Sequence, residues 1–197
     1  MTEFTVRDRS SAVVDSPRED VWSALTDPDL LPRLTPYLRE IEVDGDRWRW
    51  HLSRIPVLGL AVAPSFTEVM AFDQPSSIVF EHDPARADER AGVAGRYHLA
   101  EAHAGTDLSI DLAISVDLPF PSLAKPAVHT AMKGVVAAMG RRFSTNLVRH
   151  LGSAACERPG HGYGPVVADD DRRITWRTTL PMRRPRSRRH RTRSGTP

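Results

Sequence analysis

Hydrophobic and polar residues alternate with period two along much of the chain, and that alternation predicts strands. Residues 4–14 place Phe4, Val6, Ala12 and Val14 on one parity. Residues 38–44 set Ile41 and Val43 against Glu40, Glu42 and Asp44, and Asp44-Gly45 is a hairpin signal. Residues 46–53 put Trp48, Trp50 and Leu52 on one face and Arg47, Arg49 and His51 on the other. Residues 65–73 align Phe66, Met70 and Phe72, with Glu68 among them. Residues 77–82 align Ile78, Phe80 and His82, and residues 93–103 align Val93, Tyr97 and Leu99. The cleanest pattern is in residues 107–118, where Leu108, Ile110, Leu112, Ile114, Val116 and Leu118 alternate with polar or small residues. A strand of that kind has one buried face and one wet face. Residues 55–64 are apolar but carry Pro56, Gly59 and Pro64, and they read as a loop or irregular edge.

Two regions change to a helical period. In SPREDVWSALTDP, Ser16 is a candidate N-cap, Pro17 takes the first helical position and Glu19 completes a capping box. Val21, Trp22 and Leu25 give this helix its apolar side. DLLPRLTP follows as a second short helix, broken by Pro32 and Pro36. Residues 122–151 repeat Val128, Met132, Val135, Met139, Phe143 and Leu147 at intervals of three or four. Pro126 belongs in the first turn or at a kink, and Gly152 is the expected stop. The order is one strand, two short helices, about six antiparallel strands and one long helix. A one-faced antiparallel sheet must cover its apolar side, and only the long helix is large enough. The predicted class is therefore α+β.

Charge divides the chain in two. Residues 1–151 carry 16 basic and 21 acidic side chains, net −5, whereas residues 152–197 carry 11 and 4, net +7. The tail ends MRRPRSRRHRTRSGTP, with too little apolar material to offset its ordering entropy, so 152–197 is expected to be a disordered basic tail. Such a tail either contacts nucleic acid or anionic membrane, or is a solvated appendage. A single cysteine, Cys156, excludes an intramolecular disulfide framework. No apolar run approaches the ~20 residues of a membrane-spanning helix. The polar start MTEFTVRDRSS lacks the apolar stretch of a signal peptide, so a cytoplasmic setting is expected.

The stretches SSAVVDSPREDVWSALTDPDLLPRL, FDQPSSIVFEH, GTDLSIDLAISVDLPFPSLAKPAV and RRFSTNLVRHLG carry a resemblance. They resemble the START/Bet v 1-like (SRPBCC) superfamily, within it the polyketide cyclase/dehydrase and lipid-transport group of small bacterial proteins. The likeness spans residues 1–151. It implies a helix-grip fold: a curved antiparallel sheet of six to seven strands wrapped around the C-terminal helix, enclosing an elongated apolar cavity. Members of this superfamily include hydrophobic-ligand carriers, aromatase/cyclases and quinone-binding chaperones, and fold alone does not choose among them.

If that geometry holds, Trp48, Trp50, Phe66, Met70, Phe72, Phe80, Tyr97, Met132, Met139 and Phe143 line the cavity and bind a small hydrophobic ligand. The alternative is that the same residues fill a core. Glu68 shares parity with apolar neighbours. It either points inward as an acid, base or polar anchor, or is turned outward by a bulge. Tyr97 and His82 are further candidates, as hydrogen-bond donors to a ligand oxygen or, with Glu68, as the groups that handle protons in an enzyme. The alternative is a core tyrosine with its hydroxyl at the rim and a histidine at a strand end in water. His98, Glu101 and His103 do not share a strand face, so no metal site is expected. No phosphate-cradling glycine loop and no serine nucleophile motif occurs, so no cofactor is expected. Three functions remain: a binder of a lipid, polyketide or quinone-like molecule; an aromatase/cyclase or dehydratase-like enzyme using the same cavity; and a membrane- or partner-associated chaperone contacting its target through the 55–64 loop and the tail.

Overall fold

The period-two segments form strands and the period-3.6 segments form helices, in the computed structural model, which describes residues 1–156. The chain runs β1 (Thr2–Val14), α1 (Arg18–Leu25), α2 (Leu31–Leu34), β2 (Leu38–Asp44), β3 (Arg47–Leu52), β4 (Ile55–Val57), β5 (Leu60–Val62), β6 (Ser65–Asp73), β7 (Ser77–His82), β8 (Ala91–Ala102), β9 (Gly105–Leu118) and α3 (Lys125–Cys156). Seven strands make one antiparallel sheet in the order β1-β9-β8-β7-β6-β3-β2. The first strand thus pairs with the last, from Thr2 opposite Leu118 to Val14 opposite Thr106.

Residues directly opposite in an antiparallel pair share a face, so the register gives the inner rows of the sheet. One row runs Ser10–Ile110–Tyr97–Ile78–Phe72, and the next runs Asp8–Leu112–Gly95–Phe80–Met70. In the second row a Cβ at Gly95 would collide with the carbonyl oxygen of Asp111 and come within 2.8 Å of Phe80 Cζ. The missing side chain is what allows the Phe80 ring to lie over β8, against Tyr97 at 5.8 Å.

Helix α3 spans the inner face and is anchored at both ends. Toward its C-terminus, Leu147 and Leu151 join α1 and α2 through Val21, Trp22, Leu25, Leu31 and Leu34 in one buried cluster. Toward its N-terminus, Val128 and Met132 join Phe4, Val6, Leu118, Ile55 and Val57 in a second. Asn146 Nδ2 donates to the carbonyl of Leu34 at 2.9 Å and ties α3 to α2. Between the anchors α3 reads Val135, Val136, Ala137, Ala138, Met139, Gly140. These side chains are mostly short, and they leave space between helix and sheet.

Three local expectations need correction. The capping box at Ser16 does not form: Pro17 is the N-cap, its carbonyl accepts from Asp20 and Val21, and no side chain caps the helix. Ser16 instead belongs to the sheet end, its carbonyl accepting from Thr106 Oγ1 at 2.7 Å. Residues 55–64 are not an irregular loop. They hold the hairpin β4–β5, with Val57 opposite Leu60 and a two-residue turn at Leu58-Gly59. Both turn residues have positive φ, 47° and 82°, as a type I′ turn requires. Gly152 does not end α3, which continues to Cys156 because the cost of about 1 kcal/mol for an interior glycine is too small to stop a long helix. Pro126 lies in the first turn of α3. The segment beyond residue 156, with most of the expected basic tail, lies outside the described residues.

Candidate functional site

A cavity of about 690 Å³ occupies the space between the two anchors of α3. That lies within the roughly 300–1,000 Å³ of small-molecule sites. Its wall is mostly aliphatic, built from the inner rows of β1, β6, β7, β8 and β9, the hairpin β4–β5, and α3 from Met132 to Ser144. Of the ten residues expected to line it, Trp50, Phe66, Met70, Phe80, Tyr97, Met132, Met139 and Phe143 do so. Trp50 and Phe66 are cross-strand partners whose rings stack with centroids 6.3 Å apart and planes 12° apart.

Trp48 and Phe72 are not among the lining residues. Trp48 is buried, but in an aromatic group with Phe72 at 5.8 Å, and Phe72 meets the edge of Trp22 at 6.2 Å. Phe72 itself is 45% exposed. Parity assigned both residues to the correct face. It carries no information on what covers a given side chain: Ser10, Ile110, Tyr97 and Ile78 in the row of Phe72, and Glu68 opposite Trp48, line the cavity, while Trp48 and Phe72 themselves pack toward Trp22 of α1.

Glu68 faces the cavity and is 3% exposed. No bulge turns it outward, since β6 keeps an unbroken register with both neighbours, Glu68 standing opposite Trp48 and His82. Among the described residues it has no ion-pair partner. Burial pushes its pKa well above the ordinary carboxyl value, opposed only by the nearby indole N–H of Trp50. That indole nitrogen is buried and lacks a hydrogen-bond partner of good geometry. Glu68 is therefore held toward its neutral, proton-donating form. Burial, and secondarily the Glu68 charge, also push the Tyr97 phenol upward, so Tyr97 stays a neutral O–H. Glu68 with Trp50 beside it, and Tyr97 on β8 within reach of the Glu68 charge, make a patch of polar groups on an otherwise apolar wall.

His82 lies apart from this patch and does not line the cavity. The β7–β8 ladder ends at Phe80 opposite Gly95, so His82 is at the strand end. Its ring turns toward the following loop, with Nε2 3.2 Å from the Arg86 carbonyl and Nδ1 3.8 Å from Glu89.

The parity argument passed over Asp8 and Ser10, which line the cavity from β1. They share the parity of Phe4, Val6, Ala12 and Val14, and were obscured because polar residues interrupt that apolar set. Arg141 and Ser144 line it from α3; Ser144 is spent on the Gly140 carbonyl, whereas Arg141 is exposed at the rim. Elsewhere, ligand atoms of Glu40, Glu42 and His51 lie within 4.8 Å of one another, the two glutamates exposed, and none lines the cavity. No helix among the described residues is long and apolar enough to cross a membrane.

The model of the family described as polyketide cyclase / dehydrase and lipid transport matches residues 5–152. Solved structures share the fold. A conserved protein from Geobacillus kaustophilus is 15% identical, with TM-score 0.56 over 76% of this chain and 97% of its own. A START superfamily protein from Mycobacterium smegmatis is 15% identical, with TM-score 0.53 over 76% and 98%. The Zhui aromatase/cyclase from Streptomyces sp. R1128 is 12% identical, with TM-score 0.57 over 81% and 100%. Among curated proteins no match was found. The sheet gripping one long helix and the family match over residues 5–152 together establish that the chain belongs to the polyketide cyclase / dehydrase and lipid transport family, with the START-like helix-grip fold.

Proposed function

We propose that the protein binds a small, mostly apolar molecule carrying at least one hydrogen-bond-accepting oxygen. One observation carries this reading: a 690 Å³ apolar cavity contains a buried carboxyl with no ion-pair partner among the described residues. Affinity comes from apolar burial, at roughly 25 cal/mol per Å² before association costs. Neutral Glu68, Tyr97 and Trp50 set orientation by donating to the ligand oxygen. Trp50 and Phe66 offer a stacked ring pair to a flat ligand, and Met70, Met132 and Met139 adapt to its outline. Native mass spectrometry of the full chain, purified from a bacterial host, tests this. A defined added mass released on denaturation is the expected result. A bare mass, together with no uptake of an apolar fluorescent probe, refutes the reading.

The placement of Glu68 and Tyr97 favours a second reading, an aromatase/cyclase or dehydratase-like enzyme. A neutral carboxyl in a dry cavity can deliver a proton to a ligand oxygen and take one back, and the apolar walls fold and orient the chain of the substrate. His82 has no part in it. Turnover of any captured compound, lost in Glu68→Gln while binding persists, selects the enzyme; equal binding with no turnover selects the carrier.

A further inference from the structure

The hairpin β4–β5 has two sides. Its inner side chains Ile55 and Val57 are buried and wall the cavity. Its outer side exposes Leu58 by 49% and Leu60 by 39%, and residues 55–64 contain no polar side chain. Beside it, Leu123 is 94% exposed on the turn leading into α3. The next residue, Ala124, packs into the same apolar cluster as Ile55 and Val57.

Two observations set this patch apart from scattered surface leucines. The first is conformation. Leu58 adopts a positive φ that favours glycine and asparagine and that few bulky side chains take. Neither burial nor local preference accounts for a leucine there, and strain of this kind points toward function. The second is charge. Residues 53–67 and 118–156 hold no acidic side chain, although residues 1–151 as a whole are net acidic. Arg54, Lys125 and Lys133 stand in these two segments, exposed and without an ion pair among the described residues. The nearest acids of the sheet, Glu3 and Asp117, oppose each other on the outer parity, away from Phe4 and Val116.

We infer that this end of the molecule docks on an anionic phospholipid surface, the leucines of the hairpin and of the turn before α3 entering the interface and the three bases meeting lipid phosphates. Exposed apolar tips ringed by bases bind membranes by both terms at once. The docked hairpin then stands between the bilayer and the cavity it walls. The surface stands independently of the ligand reading above.

Vesicle co-sedimentation of the full chain tests it, with phosphatidylcholine alone and with added phosphatidylserine. The wild type is expected to bind the anionic vesicles. Leu58→Asn combined with Leu123→Ser is expected to weaken that binding by about tenfold or more. Lys125→Gln and Lys133→Gln are each expected to weaken it by about fivefold and to reduce its dependence on phosphatidylserine. Leu58→Asn alone is expected to hold or raise the melting temperature, since asparagine accepts the positive φ. Absence of wild-type binding overturns the inference. So does equal binding by the leucine variants, which would assign the contact to the arginine-rich segment beyond residue 156. Self-association of the wild type that the leucine variants abolish also overturns it, as would a fall in melting temperature for Leu58→Asn.

Discussion

Replacing Glu68 with glutamine keeps the shape of the side chain and removes its ionisation. Because Glu68 is buried with no ion-pair partner among the described residues, its folded pKa is raised above the ordinary 4.5. At a pH below 4.5 the carboxyl is neutral in both folded and unfolded chains and imposes no penalty. As pH rises toward the raised folded value, the unfolded chain releases a proton that the folded chain keeps. The folded state then binds one more proton than the unfolded one, and stability falls with pH. The limiting slope is about 1.4 kcal/mol per pH unit, so two units inside that window amount to about 2.7 kcal/mol. The groups around the carboxyl do not reverse the sign: the Trp50 indole only moderates the shift, and Tyr97 is neutral throughout. Urea unfolding of wild type and Glu68→Gln from pH 4 to 8 measures the effect. The difference between the two should grow in favour of the variant as pH rises, and a difference flat with pH would refute the reasoning. A ligand that accepts a hydrogen bond from neutral Glu68 favours the protonated form, so it should carry the falling slope to higher pH rather than flatten it.

Gly95→Ala is expected to destabilise by about 1–3 kcal/mol, because its Cβ meets the Asp111 carbonyl and the Phe80 ring; calorimetry reads the loss, and a neutral change would mean that β8 shifts freely. Ile78 is 1% exposed on β7, in the buried cluster shared with α1 and α2, and Ile78→Ala should cost about 2–5 kcal/mol, measured by denaturant unfolding. Met139→Trp fills the cavity from α3, and should leave the fold intact while abolishing uptake of an apolar probe. Asp83 has a lowered pKa, first through the backbone N–H of Ala85 and then through Arg47; its stabilising effect is present above pH 3.8 and lost as pH falls through the folded value. The stability gap between wild type and Asp83→Asn should therefore close in acid, and a gap that persists there would remove the charge from the account.

Strand faces were legible because each strand has one dry side, so parity aligned Glu68 and Tyr97 with apolar neighbours. Parity does not say whether a bulge turns Glu68 outward, and only the unbroken register of β6 answers that. What covers each side chain was not legible. Trp48 and Phe72 satisfy the same parity as Trp50 and Met70, yet their rings pack toward Trp22 of α1 while their partners in the same rows line the cavity. His82 fails for another reason: it still pairs with Glu68 of β6, but its ladder with β8 ends at Phe80, and its ring turns to the following loop. Asp8 and Ser10 carried the right parity but the wrong polarity for a pattern built on apolar residues. The hairpin at 55–62 was hidden by Pro56 and by a leucine where asparagine is usual, so the turn chemistry that marks such hairpins was absent. The existence of the cavity rests on the short side chains in the middle of α3, a quantity of volume that hydrophobic spacing does not encode.

The pairing of β1 with β9 also sets the order in which the molecule can assemble. Arg9 and Asp111 are ion-paired across 102 residues of chain. The strands from β2 to β9 can zip as successive hairpins while synthesis proceeds, each closing a short loop. The N-terminal strand has no partner until β9 has emerged, although it is made first. Until then its apolar face is an unpaired edge in a growing chain, the condition under which strands pair with the wrong neighbour. Closing so long a loop is slow, and α3 follows only after it. The cavity is therefore the last part of the protein to come into being, complete only once both ends of the domain have met.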